Sequence, residues 1–210
     1  MNDISNRVGI IDVGIGNVGS VANMLRKVGN DALIFKDPTL LPSFKKVILP
    51  GVGRFDKGIQ ALQQQEFIEP IKTFTTRKDT ALLGICLGMQ LLFEGSEEGN
   101  EAGLGYLPGI VERFKESIQL PVPNVGWLPI QIEKPSPLFA ELDQAYFYFV
   151  HAYHAPLQLN GSPAVLASTK YGYLYPSAVG KDNIFGVQFH PEKSLSFGFK
   201  LLSNFVHLQP

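Results

Sequence analysis

The sequence predicts an α/β fold, a parallel sheet with helices on both faces that mixed or antiparallel strands extend in the second half of the chain. Short apolar runs alternate with amphipathic segments through the first half, the order that β-α-β crossovers produce. Each of these runs is closed by a glycine- or proline-containing turn, as buried strands usually are. The second half carries many strand-like pieces and few helical ones, which favours mixed or antiparallel pairing.

Residues 8–12 form the first apolar run and end at the turn cluster Gly14-Ile15-Gly16-Asn17. Val21, Met24, Leu25 and Val28 then fall at i, i+3, i+4 and i+7, which predicts a helix closed by Gly29. Strands are expected over residues 32–35 and 47–49, the latter broken by Pro50-Gly51-Val52-Gly53, and helices over 58–65 and 67–78. Residues 81–85 make a fourth strand, with a helix over 87–93 after a sharp turn. Further strands are expected over 110–114, 127–132, 146–150, 165–168, 177–179 and 184–189, as an extension of the same sheet. A last helix over 197–206 has Phe199, Leu202, Phe205 and Val206 as its apolar stripe. The polar, glycine-rich stretch 94–105 reads as a loop over a site.

With 210 residues, the chain is expected to form one domain over 1–210. Its 45% hydrophobic and 18% charged content excludes a disordered chain, and its formal net charge of −1 argues against nucleic acid or an anionic membrane surface as partner. No apolar run approaches a membrane span, and the opening Met1-Asn2-Asp3-Ile4-Ser5-Asn6-Arg7 lacks the layout of a signal peptide, so a cytoplasmic protein is expected. No metal-ligand cluster stands out, and Gly14-Ile15-Gly16-Asn17 is too short a signal for a dinucleotide, so no cofactor is expected.

Cys86 is the sole cysteine, which rules out an intrachain disulfide. Gly84-Ile85-Cys86-Leu87-Gly88 places it between a strand and a helix, the arrangement of a nucleophile elbow. Flanking glycines leave room for a tight backbone, and the N–H groups of the following helix can hold an oxyanion. A lone buried cysteine is more often a small core residue; the glycine spacing and the strand-to-helix context reverse that preference. A thiol nucleophile needs a base and a group that orients the base. Of the four histidines, His190 ends an apolar strand in Phe189-His190-Pro191-Glu192. There Pro191 fixes the turn, and Glu192 is near enough to set the tautomer. His207 falls in the last helix, at the surface.

With the elbow and the distant Phe189-His190-Pro191-Glu192 in view, the chain resembles the class I glutamine amidotransferase family. Gly14-Ile15-Gly16-Asn17, Pro50-Gly51-Val52-Gly53, GMQLLF from Gly88, YFVHAY from Tyr148 and GVQFHPEKS from Gly186 are similar to the branch that forms the glutaminase subunits of imidazole glycerol phosphate synthase. The resemblance covers essentially the whole chain and implies a flavodoxin-like sheet with added strands. It implies a Cys86-His190-Glu192 triad that releases ammonia from L-glutamine through a thioester. The oxyanion would be held by Leu87 and by a donor from Gly51, Val52 or Gly53. Gln90, Glu98, His151, Ala152 and Tyr153 match substrate-contacting positions. Asn17, Asn124, Trp127 and Lys193 match positions facing the partner, a (β/α)8-barrel synthase that receives the ammonia.

The chain departs from the family at Asn124, where a histidine is usual, at Leu128, where an asparagine is usual, and at Val13 and Ala152. The triad is untouched. Three alternatives remain: the same chemistry feeding another synthase, such as a sugar amidotransferase of surface polysaccharide biosynthesis; a non-catalytic regulatory paralogue; and a cysteine peptidase acting alone.

Overall fold

A computed structural model describes residue 4 and residues 6–209. The first half runs β1 (Val8–Ile11), α1 (Val18–Lys27), β2 (Leu33–Phe35), β3 (Lys46–Gly51), α2 (Phe55–Gln64), α3 (Ile68–Thr76), β4 (Ala81–Cys86) and α4 (Leu87–Gln90). The second half runs β5 (Gly95–Ser96), β6 (Ile110–Arg113), β7 (Asn124–Pro129), β8 (Gln131–Ile132), β9 (Tyr146–His151), β10 (Tyr153–His154), β11 (Val165–Tyr171), β12 (Tyr173–Lys181), β13 (Ile184–Val187) and α5 (Leu195–His207).

Eight strands form the main sheet in the order β2-β1-β3-β4-β13-β12-β11-β8. Pairing is parallel from β2 to β13 and antiparallel from β13 to β8. Successive side chains of a strand point to opposite faces, and the core divides accordingly. Val47, Leu49 and Leu82 pack with Ile59, Leu62, Ile71 and Phe74 of α2 and α3. Ile48, Leu83 and Ile85 pack on the other side with Val21, Leu25, Leu201 and Phe205 of α1 and α5. This is the expected doubly covered sheet.

Helix α1 shows how local chemistry sets the boundaries. The Asn17 side chain accepts from Ser20 N and caps the first turn. At the far end Gly29, at φ +83, lets Gly29 N–H reach Arg26 O and Asn30 N–H reach Leu25 O. Those two bonds satisfy carbonyls the helix leaves open, and only glycine takes this left-handed turn without strain.

Four expectations are corrected. The segments around 110–114, 127–129 and 146–150 do not extend the main sheet: β10-β6-β5 form a three-stranded sheet and β7-β9 a two-stranded one. Strand β7 buries its residue 124 side and leaves Val125 and Trp127 exposed, so it pairs with β9 as a half-buried ribbon. The helix after Cys86 is one turn, Leu87–Gln90, because the chain then folds back and Leu91 O and Leu92 O accept from Leu104 N and Tyr106 N. The buried stripe of α5 is Gly198, Leu201, Leu202 and Phe205, whereas Phe199 is exposed; Gly198 is drawn in against the Pro191 carbonyl, which turns the helix by one residue. Residues 94–105 are not wholly a loop, since Gly95–Ser96 pairs with β6.

Candidate active site

Register puts the site at the C-terminal ends of three adjacent parallel strands, where α/β sheets bind their ligands. Gly51 of β3 lies beside Cys86 of β4, and Val187 of β13 lies beside Ile85. The chain therefore leaves β3, β4 and β13 at one level carrying Gly51-Val52-Gly53, Cys86 and Gln188-Phe189-His190.

Cys86 has φ +54, a conformation that costs a non-glycine residue about 1–3 kcal/mol. Its neighbours explain why the turn holds. A side chain at Gly84 would meet the Gly88 carbonyl carbon at 2.7 Å, one at Gly51 would meet Gly88 N at 2.8 Å, and one at Gly88 would collide with the Leu49 carbonyl. The three glycines let β3 and the elbow close on each other, so the sulfur is presented at the start of α4. Leu87 and the residue after it are first-turn positions whose N–H groups have no acceptor within the helix.

The structure brings Cys86, His190 and Glu192 together. His190 Nδ1 is 2.7 Å from Glu192 Oε1, and the two side chains are 2% and 3% exposed. His190 Nε2 is buried without a hydrogen-bond partner, as is Glu192 Oε2. Burial works against a charged ring at His190, but the Cys86 sulfur and the Glu192 carboxylate outweigh it and raise the imidazole pKa to about 10. The thiol acts here as a close neighbour, since Nε2 itself has no bonded partner in this geometry. The turn carrying the histidine is held to β9: His190 N donates to Tyr148 O, Ser194 Oγ donates to His190 O, and Tyr148 N donates to Ser194 Oγ. Ser194 escaped the sequence reading, because a serine after a turn carries no signal of its own.

Gln90 is buried and donates to Tyr153 O at 3.0 Å and to Gln188 Oε1 at 3.1 Å. Glu98 accepts from Phe55 N at 2.8 Å and so caps α2, whose own cap residue Arg54 provides no side-chain bond. Asp56 answers by accepting from Asn100 N and Glu101 N, which fastens the Glu98 loop to that helix. Ala152 O accepts from Phe114 N. The His151 ring turns inward, with Nδ1 on Tyr153 O at 2.7 Å and Nε2 near Tyr175 Oη and Asn124 Nδ2. What residues 151–153 offer a ligand is therefore backbone and the half-buried Tyr153.

Among the residues expected at a partner surface, Trp127, Lys193 and Asn17 are exposed. Lys193 Nζ stands 5.5 Å over the Tyr148 ring, which packs edge-on with Trp127. Asn124 is a correction: it is 1% exposed and bonded to His151 and Tyr175, because even-numbered positions of β7 face inward.

The segment Gly51-Val52-Gly53, expected to supply an oxyanion donor, is turned elsewhere. Val52 N–H donates to Ile15 O at 2.5 Å, so the loop after β1 holds it away from Cys86. No group of three or more metal-ligating side chains occurs among the described residues, and none of their helices is long and apolar enough to cross a membrane. A cavity of about 860 Å³ lined by Arg77, Tyr106, Lys134 and Lys181 opens at the opposite end of the sheet, beside the first residue of β13, and takes no part in this site.

The inward histidines make stability pH-dependent. Burial lowers the His151 pKa to about 3, and burial also lowers that of His154, whose Nε2 meets Tyr173 Oη at 2.8 Å. The unfolded chain protonates both near pH ~6.5, so between that value and the folded pKa it binds more protons and stability falls as pH falls. His190, with a raised folded pKa, contributes fully below ~6.5 and loses its contribution only as pH rises toward the folded value. From pH 7 to about 5.5, above the carboxylate range, His151 alone removes roughly 1–2 kcal/mol. Urea unfolding should show that slope and a flatter one in His151→Gln; equal slopes would contradict the neutral assignment.

The family model for class I glutamine amidotransferases matches residues 9–208. A protein of Methanococcus maripaludis named imidazole glycerol phosphate synthase subunit HisH 2 is 44% identical over 95% of this chain and 98% of its own. Subunit HisH of Desulfitobacterium hafniense is 44% identical over 94% and 92%, and subunit HisH 1 of Campylobacter jejuni 39% over 96% and 100%. Among solved structures, a crystal structure of a glutamine amidotransferase superposes with TM-score 0.72 at 21% identity, covering 94% of this chain and 96% of that one. PurLQS from Thermotoga maritima does so with TM-score 0.72 at 17% identity over 95% and 96%. At those identities the two structures speak for the fold.

Proposed function

The chain belongs to the class I glutamine amidotransferase family, and from that premise we propose that it is the glutaminase subunit of an imidazole glycerol phosphate synthase, acting as one cytoplasmic domain in histidine biosynthesis. The observation that carries the chemistry is the triad: a cysteine held at φ +54 on a strand end, facing an imidazole whose Nε2 is free and whose Nδ1 is bonded to a buried carboxylate.

Cys86 Sγ passes its proton to His190 Nε2 and attacks Cδ of the glutamine side chain. The tetrahedral oxyanion is held by Leu87 N–H and by Val52 N–H once that group is released from Ile15. His190 Nε2 protonates the departing nitrogen, ammonia leaves, and a glutamyl thioester remains. Water, deprotonated by the same nitrogen, then releases glutamate and restores the thiol. Gln90 has spent both amide hydrogens on Tyr153 O and Gln188, so its carbonyl oxygen is what remains for a substrate donor. Glu98 has one carboxylate oxygen on Phe55 N and the other for a ligand's ammonium.

The ammonia goes to a (β/α)8-barrel synthase docked on the outer face of β7 and β9. Val125, Trp127 and Tyr146 are exposed there, next to Lys193, and Leu195 is 71% exposed just beyond. The departures from the family at Asn124 and Leu128 lie on the inner face of β7, packed into the core, and do not alter this surface. That favours the histidine-pathway partner over a sugar amidotransferase.

Glu192→Gln tests the triad. An amide at position 192 can donate to Nδ1 and leave the proton on Nε2, where a base must have none. Glutamate release should fall about 10²–10⁴-fold in kcat with little change in KM. A variant with nearly full kcat would remove Glu192 from the mechanism.

A further inference from the structure

We propose that Gln188 is a second donor to the nucleophile, its side-chain amide stabilising the Cys86 thiolate alongside His190. The proposal deepens the glutaminase reading and rests on Cys86 being its nucleophile. Gln188 follows the last residue of β13, is fully buried, and is anchored by its backbone N–H on Ser177 O at 2.9 Å. Its Nε2 lies 3.8 Å from Cys86 Sγ in donor geometry.

The direction of that amide is dictated by its neighbours. Tyr153 O can only accept, so Gln90 must present nitrogen to it. The same Gln90 nitrogen is 3.1 Å from the other end of Gln188, so Gln188 must present oxygen there and nitrogen to the sulfur. Turned around, Gln188 would set its NH2 against that of Gln90, two donors facing each other, and leave a buried N–H unmet. Tyr153 O is itself fixed by His151 Nδ1, whose ring is held by Tyr175 and Asn124. A run of polar contacts thus extends from the inner face of β7 to the reacting sulfur.

A thiol gains little from an N–H donor, whereas a thiolate gains a charge-assisted bond, so the amide favours the charged form. Loss of such a bond is worth about tenfold in the population of that form.

Cys86 is the sole cysteine, so iodoacetamide consumption by the folded chain reports it without glutamine or partner. Gln188→Met keeps the length and removes the donor. Its alkylation at pH 7 should be about tenfold slower than wild type and within about twofold at pH ~10, above the ordinary range of a free thiol. Gln188→Glu, which turns an acceptor toward the sulfur, should be slower still at pH 7 and carries the test if the methionine variant does not fold. Equal rates at pH 7, or the same slowing at both pH values, would overturn the proposal, the latter by showing altered access. If wild-type Cys86 itself reacts no faster than a free thiol at pH 7, it is the nucleophile reading that fails.

Discussion

Cys86→Ala abolishes glutamine hydrolysis, a fall of about 10⁴-fold or more, and leaves ammonia-dependent synthesis by the complex with the proposed synthase intact. The magnitude follows from the site. No other thiol exists in the chain to replace it. The selectivity follows from the division of labour: the sulfur only releases ammonia, and ammonia supplied in the medium bypasses it. Alanine removes one small side chain at the strand end and should leave the fold in place, which a melting curve of the variant checks. Loss of both activities in a folded Cys86→Ala complex would contradict the account.

The second large effect comes from the oxyanion segment. Val52 N–H is bonded to Ile15 O, so on the proposed mechanism the isolated chain should lack one of two oxyanion donors. One such donor is worth about 10²–10³-fold in kcat. Release requires the peptide before Val52 to turn. Gly51 lies on one side of it and Gly53, at φ +108, closes the segment on the other. The Val52 side chain is 46% exposed, so a docked partner can reach it. The isolated chain should hydrolyse glutamine slowly, and a partner that breaks the Val52–Ile15 bond should raise kcat by about 10²–10³-fold.

Much of this was legible in the residues because it is local. The elbow announces itself through Gly84 and Gly88, which the backbone needs where Cys86 turns, and the parallel half of the sheet through short apolar runs. The histidine and glutamate of the triad lie two residues apart on one turn. What escaped depends on contacts distant in sequence. Helix α2 begins at Phe55, three residues before the expected start, because its cap is Glu98. The pairing of β7 with β9 outside the main sheet depends on which side of β7 the core covers, and an alternating strand leaves that open. Asn124 matches a partner-facing position by resemblance, whereas strand parity turns it inward toward His151 and Tyr175. Gln188 resembles any polar residue near a strand end until Gln90 and Tyr153 are placed around it.

Glutamate release from glutamine separates a complete triad held back by one misdirected peptide from a site that is already active. It should be measured for the chain alone and with a (β/α)8-barrel synthase subunit plus its acceptor nucleotide. Release should be slow for the chain alone and about 10²–10³-fold faster with both present. Full activity in the isolated chain, or a complex that forms without any increase, would contradict it.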